Sequence, residues 1–277
     1  MSDAIAPKAA PVRARKPLSE AAIRNVTLIV LIVGFSLVVQ LVNDNFLSFA
    51  NLRVVGLNIS FIGIAAVGAA LLMIGGQIDL SIGSIFALSA VVSAMLAQIF
   101  PPGIAIILGI SCGGLVGLLN GLIIRRINIS PIIVTLGALT FVRGLVLILT
   151  GDSSVTGVAA GFTTMGRSTV LGVPLPIVLF AVIAMFSTLL LSQTKIGLHI
   201  RAFGDDRQAA EFSGLNGRRI TLGLFTASGV MAGIAGVLAA SRLGGASPNF
   251  GIGFELEVIT AVVLGGVAIT GGEGRMT

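Results

Sequence analysis

The chain has no tryptophan and no tyrosine, one cysteine, one histidine, and only 10% charged residues over 277 positions. The single cysteine, Cys112, sits inside an apolar run and excludes an intramolecular disulfide or a cysteine-based metal cluster. Beside it the lone His199 leaves no His/Cys metal site, and no Ser/His/Asp set is available, so no catalytic residue is assigned. No G-x-x-x-x-G-K-[ST] loop is present to cradle nucleotide phosphates. The charge deficit excludes an ordinary soluble domain, which carries about 25% charged residues. Without Trp or Tyr, any aromatic belt at a membrane interface falls to phenylalanine.

What fills the space is apolar. The chain is 55% hydrophobic with a mean hydropathy of +1.08, and several runs exceed the ~18 residues that cross a bilayer as a helix. They are too long and unbroken for barrel strands, which alternate over about ten residues. The expected fold is an all-α polytopic membrane bundle. Its eight candidate spans are roughly 26–42, 54–75, 80–99, 103–124, 131–150, 173–191, 220–240 and 255–271. The net charge of +6 does not point to nucleic acid, because the charges cluster at the ends of these runs.

Residues 1–25 are rich in Ala, Pro and basic residues, lack a cleavable-signal pattern, and read as a disordered cytoplasmic tail. Residues 26–277 form the transmembrane domain. With the N-terminus inside, thirteen of the seventeen Lys/Arg fall on the inner side; Arg53, Arg167 and Arg242 fall outside, and Arg143 lies within a span. That asymmetry follows the positive-inside rule and makes the loop 193–219 cytoplasmic. No internal repeat is evident.

That loop is the one long polar stretch between the spans. It holds five of the basic residues, three of the eleven acids and the only histidine. Gly204 ends one element, Asp205 is the expected N-cap of the next, and Asp206 adds a second acid to its first turn. Arg207 to Ser213 (RQAAEFS) is a short helix, with Gly214 as the residue that ends it. About two turns cannot stand alone. The helix therefore docks, either on its own subunit or on a soluble partner.

Several polar groups fall at membrane depth. In Gly75-Gly76-Gln77-Ile78-Asp79-Leu80-Ser81, two glycines break the helix, and Asp79 and Ser81 can cap the next one. The segment is either a tight capped turn or a broken helix lining a pathway. Arg143 costs at least ~2.5–3.5 kcal/mol at mid-bilayer and should face the bundle interior or snorkel, as an ion pair or on a substrate path. Asn58, Ser60, Thr135 and Thr140 are candidates for the same interior. Glu255 and Glu257 are two apart and expected on different helix faces. Ser130-Pro131 is a start signal for the fifth span. Gly113, Gly117 and Gly121, and likewise Gly229 and Gly233, give flat faces for close helix packing.

These residues resemble a known family, the permease subunits of ribose-type ABC sugar importers, over nearly the whole chain. GGQIDLSIGS is similar to the family's GGIDLSVG signature, with Gln77 as an insertion. The block from GLLNGLIIRRINIS to LVLILTG is similar to its NG…P.I.TL…RG pattern and carries Asn120, Thr135, Arg143 and Gly144. IGLHIRAFGDDRQAAEFSGLNGRRI resembles its cytoplasmic coupling segment, matching at Gly197, Ala202, Gly204, Ala209, Ala210, Ser213 and Gly214, with Asp205-Asp206 where Gly-Asn is common. SPNFGIGFELEVITAVVLGGVAITGGEG resembles its last strong motif.

The resemblance implies a multi-pass subunit of a bacterial inner membrane that translocates a monosaccharide such as ribose or xylose. Its implied partners are a second permease subunit, a cytoplasmic ATP-binding subunit that alone binds ATP, and a periplasmic solute-binding protein. The segment Gly204, Asp205, Asp206, Arg207, Ala209, Ala210, Glu211, Ser213 and Gly214 would couple to the ATPase. Asn58, Asp79, Ser81, Asn120, Thr135, Arg143 and Glu255 are the candidates for a substrate pathway. Family members continue for about two more helices, to about ten spans, so the chain is expected to stop short of the full set. A branched-chain amino-acid permease, an ion-coupled secondary transporter and a non-transporting membrane scaffold are the alternatives.

Overall fold

The computed structural model of the protein describes residues 20–268 and 271, with side chains from Val26 onward. In chain order the elements are α1 (Glu20–Val42), α2 (Phe49–Ile74), α3 (Ile82–Leu96), α4 (Pro102–Ile127), α5 (Pro131–Thr150) and α6 (Ala160–Arg167). A two-stranded hairpin follows, β1 (Thr169–Val170) and β2 (Val173–Pro174). Then come α7 (Leu175–Gln193), α8 (Lys195–Asp205), α9 (Arg207–Phe212), α10 (Gly217–Leu243) and α11 (Phe254–Leu264). The first seven expected spans each coincide with a helix, and the eighth overlaps the 11-residue α11. Among the described residues, α2, α4, α5, α7 and α10 are long and apolar enough to cross a membrane; α1 and α3 contribute shorter apolar stretches. The protein is a polytopic helical membrane protein.

Boundaries differ from expectation most at three places, one being α2, which begins at Phe49 rather than 54. α1 begins at Glu20, so the last six residues of the expected tail are helical; Ala21 and Ala22 are strong helix formers. Residues 1–19 of that tail lie outside the described residues. The last span ends at Leu264 rather than 271, because Gly265 and Gly266 follow, the latter with φ of 92°.

Proline and glycine punctuate the bundle. Pro102 and Pro131 occupy the first positions of α4 and α5, where a missing N–H leaves no bond unmade. Ser130 is the N-cap residue of α5, but its side chain makes no capping hydrogen bond. Gly151 and Gly244 end α5 and α10 in left-handed conformations.

The described residues up to Asn51 and those from Leu52 onward form two compact units. In the first, the turn after α1 is tied by Gln40, which donates to the Asp44 carbonyl (2.8 Å) and accepts from the Leu47 amide (2.8 Å). In the second, α10 is central and packs on α3, α4 and α6. The glycine faces read from the sequence meet each other there. A Cβ on Gly113 would lie 2.6 Å from the Gly229 carbonyl, and one on Gly117 would overlap the Phe225 carbonyl. α4 and α10 thus touch backbone to backbone, as small-residue faces allow where lipid supplies no hydrophobic drive. α5 and α7 leave Phe141, Ile148, Met185 and Phe186 exposed, in keeping with apolar surroundings.

Candidate functional site

The polar stretch folds as two helices and the first turn of a third, each with its own side-chain cap. Thr194 Oγ1 accepts from the Gly197 amide (3.3 Å), Asp206 Oδ1 from the Ala209 amide (2.9 Å), and Asn216 Oδ1 from the Arg219 amide (3.0 Å). The N-cap of α9 is therefore Asp206 and not Asp205, which closes α8. The helix runs one residue past Gly204, and the break in backbone conformation falls at Asp206, with φ of −142°. Gly214, at φ of 88°, ends α9 as expected: its amide bonds the Glu211 carbonyl and the Leu215 amide bonds that of Ala210.

α9 docks on its own subunit by one face and leaves the other free. Ala210 is buried, and Glu211 pairs with Arg125 at the end of α4 (2.9 Å) and with Arg207 one turn back (3.6 Å). Arg207 also lies over the ring of the buried Phe203 on α8, 5.7 Å from its centroid. On the open side are Gln208 and Phe212, the latter 91% exposed.

The break between α2 and α3 lies directly beneath this segment. Gly76 has a φ of 69°, and a Cβ there would sit 3.3 Å from the Gly204 carbonyl of α8. Gly271 closes the same junction, its own Cβ position 2.6 Å from Gly76 Cα. Just beyond, Asp79, Ser81 and Asn120 are brought together and buried. Asp79 Oδ1 accepts from the Ser81 amide (2.8 Å) and hydroxyl (2.5 Å), and Asn120 Nδ2 donates to Ser81 Oγ (2.9 Å). Gln77 Nε2 donates to Thr221 Oγ1 on α10 (3.4 Å). The break is thus a buried turn cross-linked to α4 and α10; Ser81, the N-cap residue of α3, makes no side-chain capping bond, and Asp79 Oδ2 has no partner among the described residues.

Among the described residues Arg143 has no ion pair within 4 Å. Its guanidinium donates to three carbonyls of the loop after α10: Pro248 (3.2 Å), Phe250 (2.6 Å) and Gly251 (3.0 Å). Glu255 stands near enough to feel its charge, with Oε2 buried and unbonded against Gly83. Ser60 and Thr135 are buried, but each hydroxyl donates to its own helix, to Leu57 (2.6 Å) and Ile132 (3.3 Å). Thr140 is exposed and bonds its own helix too, so it does not face the interior.

Two cavities adjoin each other. One, of about 460 Å³, is lined by Asn58 and Phe61 of α2, Phe86 of α3, Phe250 of the loop, and Phe254 and Glu257 of α11. The other, of about 900 Å³, is a largely aliphatic groove between α2, α7 and α11 that reaches Ala70 and Val267. They share Ile62 and Glu257. Glu255 and Glu257 do lie on different faces, and only Glu257 enters the cavities. The smaller cavity borders the end of α10 at Leu243. There Arg167 Nε donates to the Arg242 carbonyl (2.9 Å), with Arg53 in electrostatic range. All three basic residues expected outside therefore gather at that end. The pathway candidates thus fall in separate places: Asp79, Ser81 and Asn120 at the break, Arg143 and Glu255 beside the loop, Thr135 on α5, and Asn58 in the cavity. The phenylalanines of the cavity were not singled out from the sequence, where nothing distinguishes them from lipid-facing ones.

Comparison with known proteins follows the same bundle. Residues 54–274 match the family described as branched-chain amino acid transport system / permease component. The chain is 35% identical over 243 residues to the ribose import permease protein RbsC of Bacillus subtilis, covering 87% of this chain and 76% of that protein. It is 34% identical over 235 residues to the D-allose transport system permease protein AlsC of Escherichia coli (84% and 72%). It is 36% identical over 264 residues to the L-arabinose ABC transporter permease protein AraH of Azospirillum brasilense (95% and 78%). No solved structure matches the chain. With the match spanning the helices from α2 to α11 and relatives alike over most of their length, the chain belongs to this family of membrane-embedded permease components.

Proposed function

We propose that the chain is the membrane-spanning subunit of an ATP-binding-cassette importer for a monosaccharide, delivered by a solute-binding protein and driven by a separate ATP-binding subunit. The sugar class is supported by relatives named for ribose, allose and arabinose, which favour it over branched-chain amino acids. The observation that carries the mechanism is the junction of Gly76, Gly204 and Gly271. A push on α9 reaches α8, and the end of α8 rests on the break between α2 and α3. The buried Asp79–Ser81–Asn120 link ties that break to α4. Packed, discrete contacts of this kind shift as units rather than deform. The ATPase takes the open face of α9, with Gly204, Asp205, Asp206, Arg207, Ala209, Ala210, Glu211, Ser213 and Gly214 forming the coupling segment. This end is cytoplasmic in a bacterial inner membrane, with the N-terminus on the same side and a second permease subunit completing the pathway. Arg53, Arg167 and Arg242 then mark the outer end, where the binding protein arrives.

Reconstitution of the chain in proteoliposomes with its ATP-binding and solute-binding proteins tests the reading. ATP-dependent uptake of D-ribose, L-arabinose or D-allose is expected. Uptake driven by an ion gradient without any ATPase would make the chain a secondary transporter, and uptake of L-leucine instead would place it with amino-acid carriers. No uptake with the full partner set would leave it a scaffold.

A further inference from the structure

We infer that the 460 Å³ cavity is a monosaccharide-binding station, in which Glu257 and Asn58 hold the hydroxyls and the Phe61, Phe86, Phe250 and Phe254 side chains supply the apolar wall. The inference rests on the transport reading above and adds the place where sugar meets this chain.

A sugar ring presents hydroxyls around its edge and C–H groups on its faces. A site for it needs acceptors and donors converging on one side and flat apolar surface on the other. The cavity offers both. Glu257 contributes a carboxylate, which as an acceptor of two hydroxyls makes the stronger, charge-assisted kind of bond, and Asn58 offers a donor and an acceptor at once. Among the described residues neither side chain has a hydrogen-bond partner, and both are exposed, so each has polar atoms to offer a ligand. Glu255, two residues away, is turned from the cavity with Oε2 buried against Gly83. One acid is built into the structure and the other is left available.

The wall is already assembled. Phe86 and Phe254 stack with ring centroids 4.4 Å apart and 33° between planes, and Phe250 lies 6.4 Å from Phe86. The loop carrying Phe250 is held by the three carbonyl bonds from Arg143, so the site is preorganised from outside its own lining. The volume falls within the roughly 300–1,000 Å³ of small-molecule sites, which are mostly apolar with a few placed polar groups. Glu257 also stands where this cavity opens into the aliphatic groove along α2 and α11. It therefore holds the sugar at the last point where a carboxylate can serve both spaces.

The absence of tryptophan and tyrosine makes the test direct, because one introduced tryptophan is the only indole in the protein. Leu243→Trp places it on the cavity edge, Phe250→Trp in the wall should the first fail to fold, and Leu171→Trp, at the fully exposed tip of the hairpin, is the control. Titration of the purified chain in nanodiscs with D-ribose, L-arabinose and D-allose should give a saturable emission change at the cavity reporters and none at Leu171→Trp. Adding Glu257→Gln should weaken the apparent affinity about tenfold or more, as loss of a charge-assisted acceptor implies. In the assembled importer the same substitution should raise KM for uptake by a similar factor and leave the ATPase rate in place. If the importer carries sugar while both cavity reporters stay silent and Glu257→Gln and Asn58→Ala keep the original KM, the cavity is not the station, though the transport reading stands. A wild-type importer that takes up none of the three sugars overturns the transport reading and this inference together.

Discussion

The guanidinium of Arg143 satisfies three carbonyls of one short loop, which explains how a cation persists on an apolar helix. A charge at this depth costs several kcal/mol unless it is paired or hydrogen-bonded, and a planar fork of donors reaches carbonyls at 2.6 to 3.2 Å that a single ammonium could not span. Sequence alone marked Arg143 as a residue that faces the interior or snorkels, because position in an apolar run is enough for that. It left open ion pair or substrate path, since backbone carbonyls bear no sequence signature. Arg143→Ala should lower stability by about 2–3 kcal/mol through the unpaired carbonyls. Arg143→Lys should recover only part of it, and protease sensitivity should rise selectively within residues 244–253. A thermal melt in detergent with cleavage mapping checks this; unchanged melting and cleavage in Arg143→Ala would show that the loop holds itself.

At the scale of the element, α9 is six residues long and exists only because it is capped at both ends and clamped in the middle. Its composition and terminal glycine were legible in the sequence, as was the need for it to dock. The position of the cap was not, because Asp205 and Asp206 are chemically the same, and what separates them is how far α8 extends. Near its end α8 packs Gly204 against Gly76, a contact 128 positions apart in the chain. The Arg125–Glu211 pair was equally hidden, being likewise long-range. Asp206→Ala should remove about 1 kcal/mol of cap stabilisation and speed amide exchange across 207–213, whereas Asp205→Ala should leave that exchange close to wild type. Equal effects of the two substitutions in a hydrogen-exchange measurement would contradict the assignment. The Glu211 pairs are half in water and contribute little by themselves, so they orient the helix more than they stabilise it.

For the whole molecule, the five long apolar helices were readable because bilayer thickness dictates their length, and the glycine stripes of α4 and α10 announced a close interface without naming each other as partners. The cavity lay out of reach of such reading, since its phenylalanines come from four separate segments and become a wall only on folding. Function follows from how the two ends are joined: a polar end where α9 offers Gln208 and Phe212, and an opposite end where Arg167 and Arg242 adjoin a small, partly polar cavity. The central claim is that the polar end receives force from an ATPase. It is tested most directly by Gln208→Cys in a Cys112→Ala background, crosslinked through the engineered thiol to the ATP-binding subunit in the assembled importer. The account predicts a covalent product between the two subunits whose yield changes when ATP is bound. An ATP-hydrolysing complex that gives no product from Gln208→Cys, nor from Phe212→Cys on the same face, would contradict it.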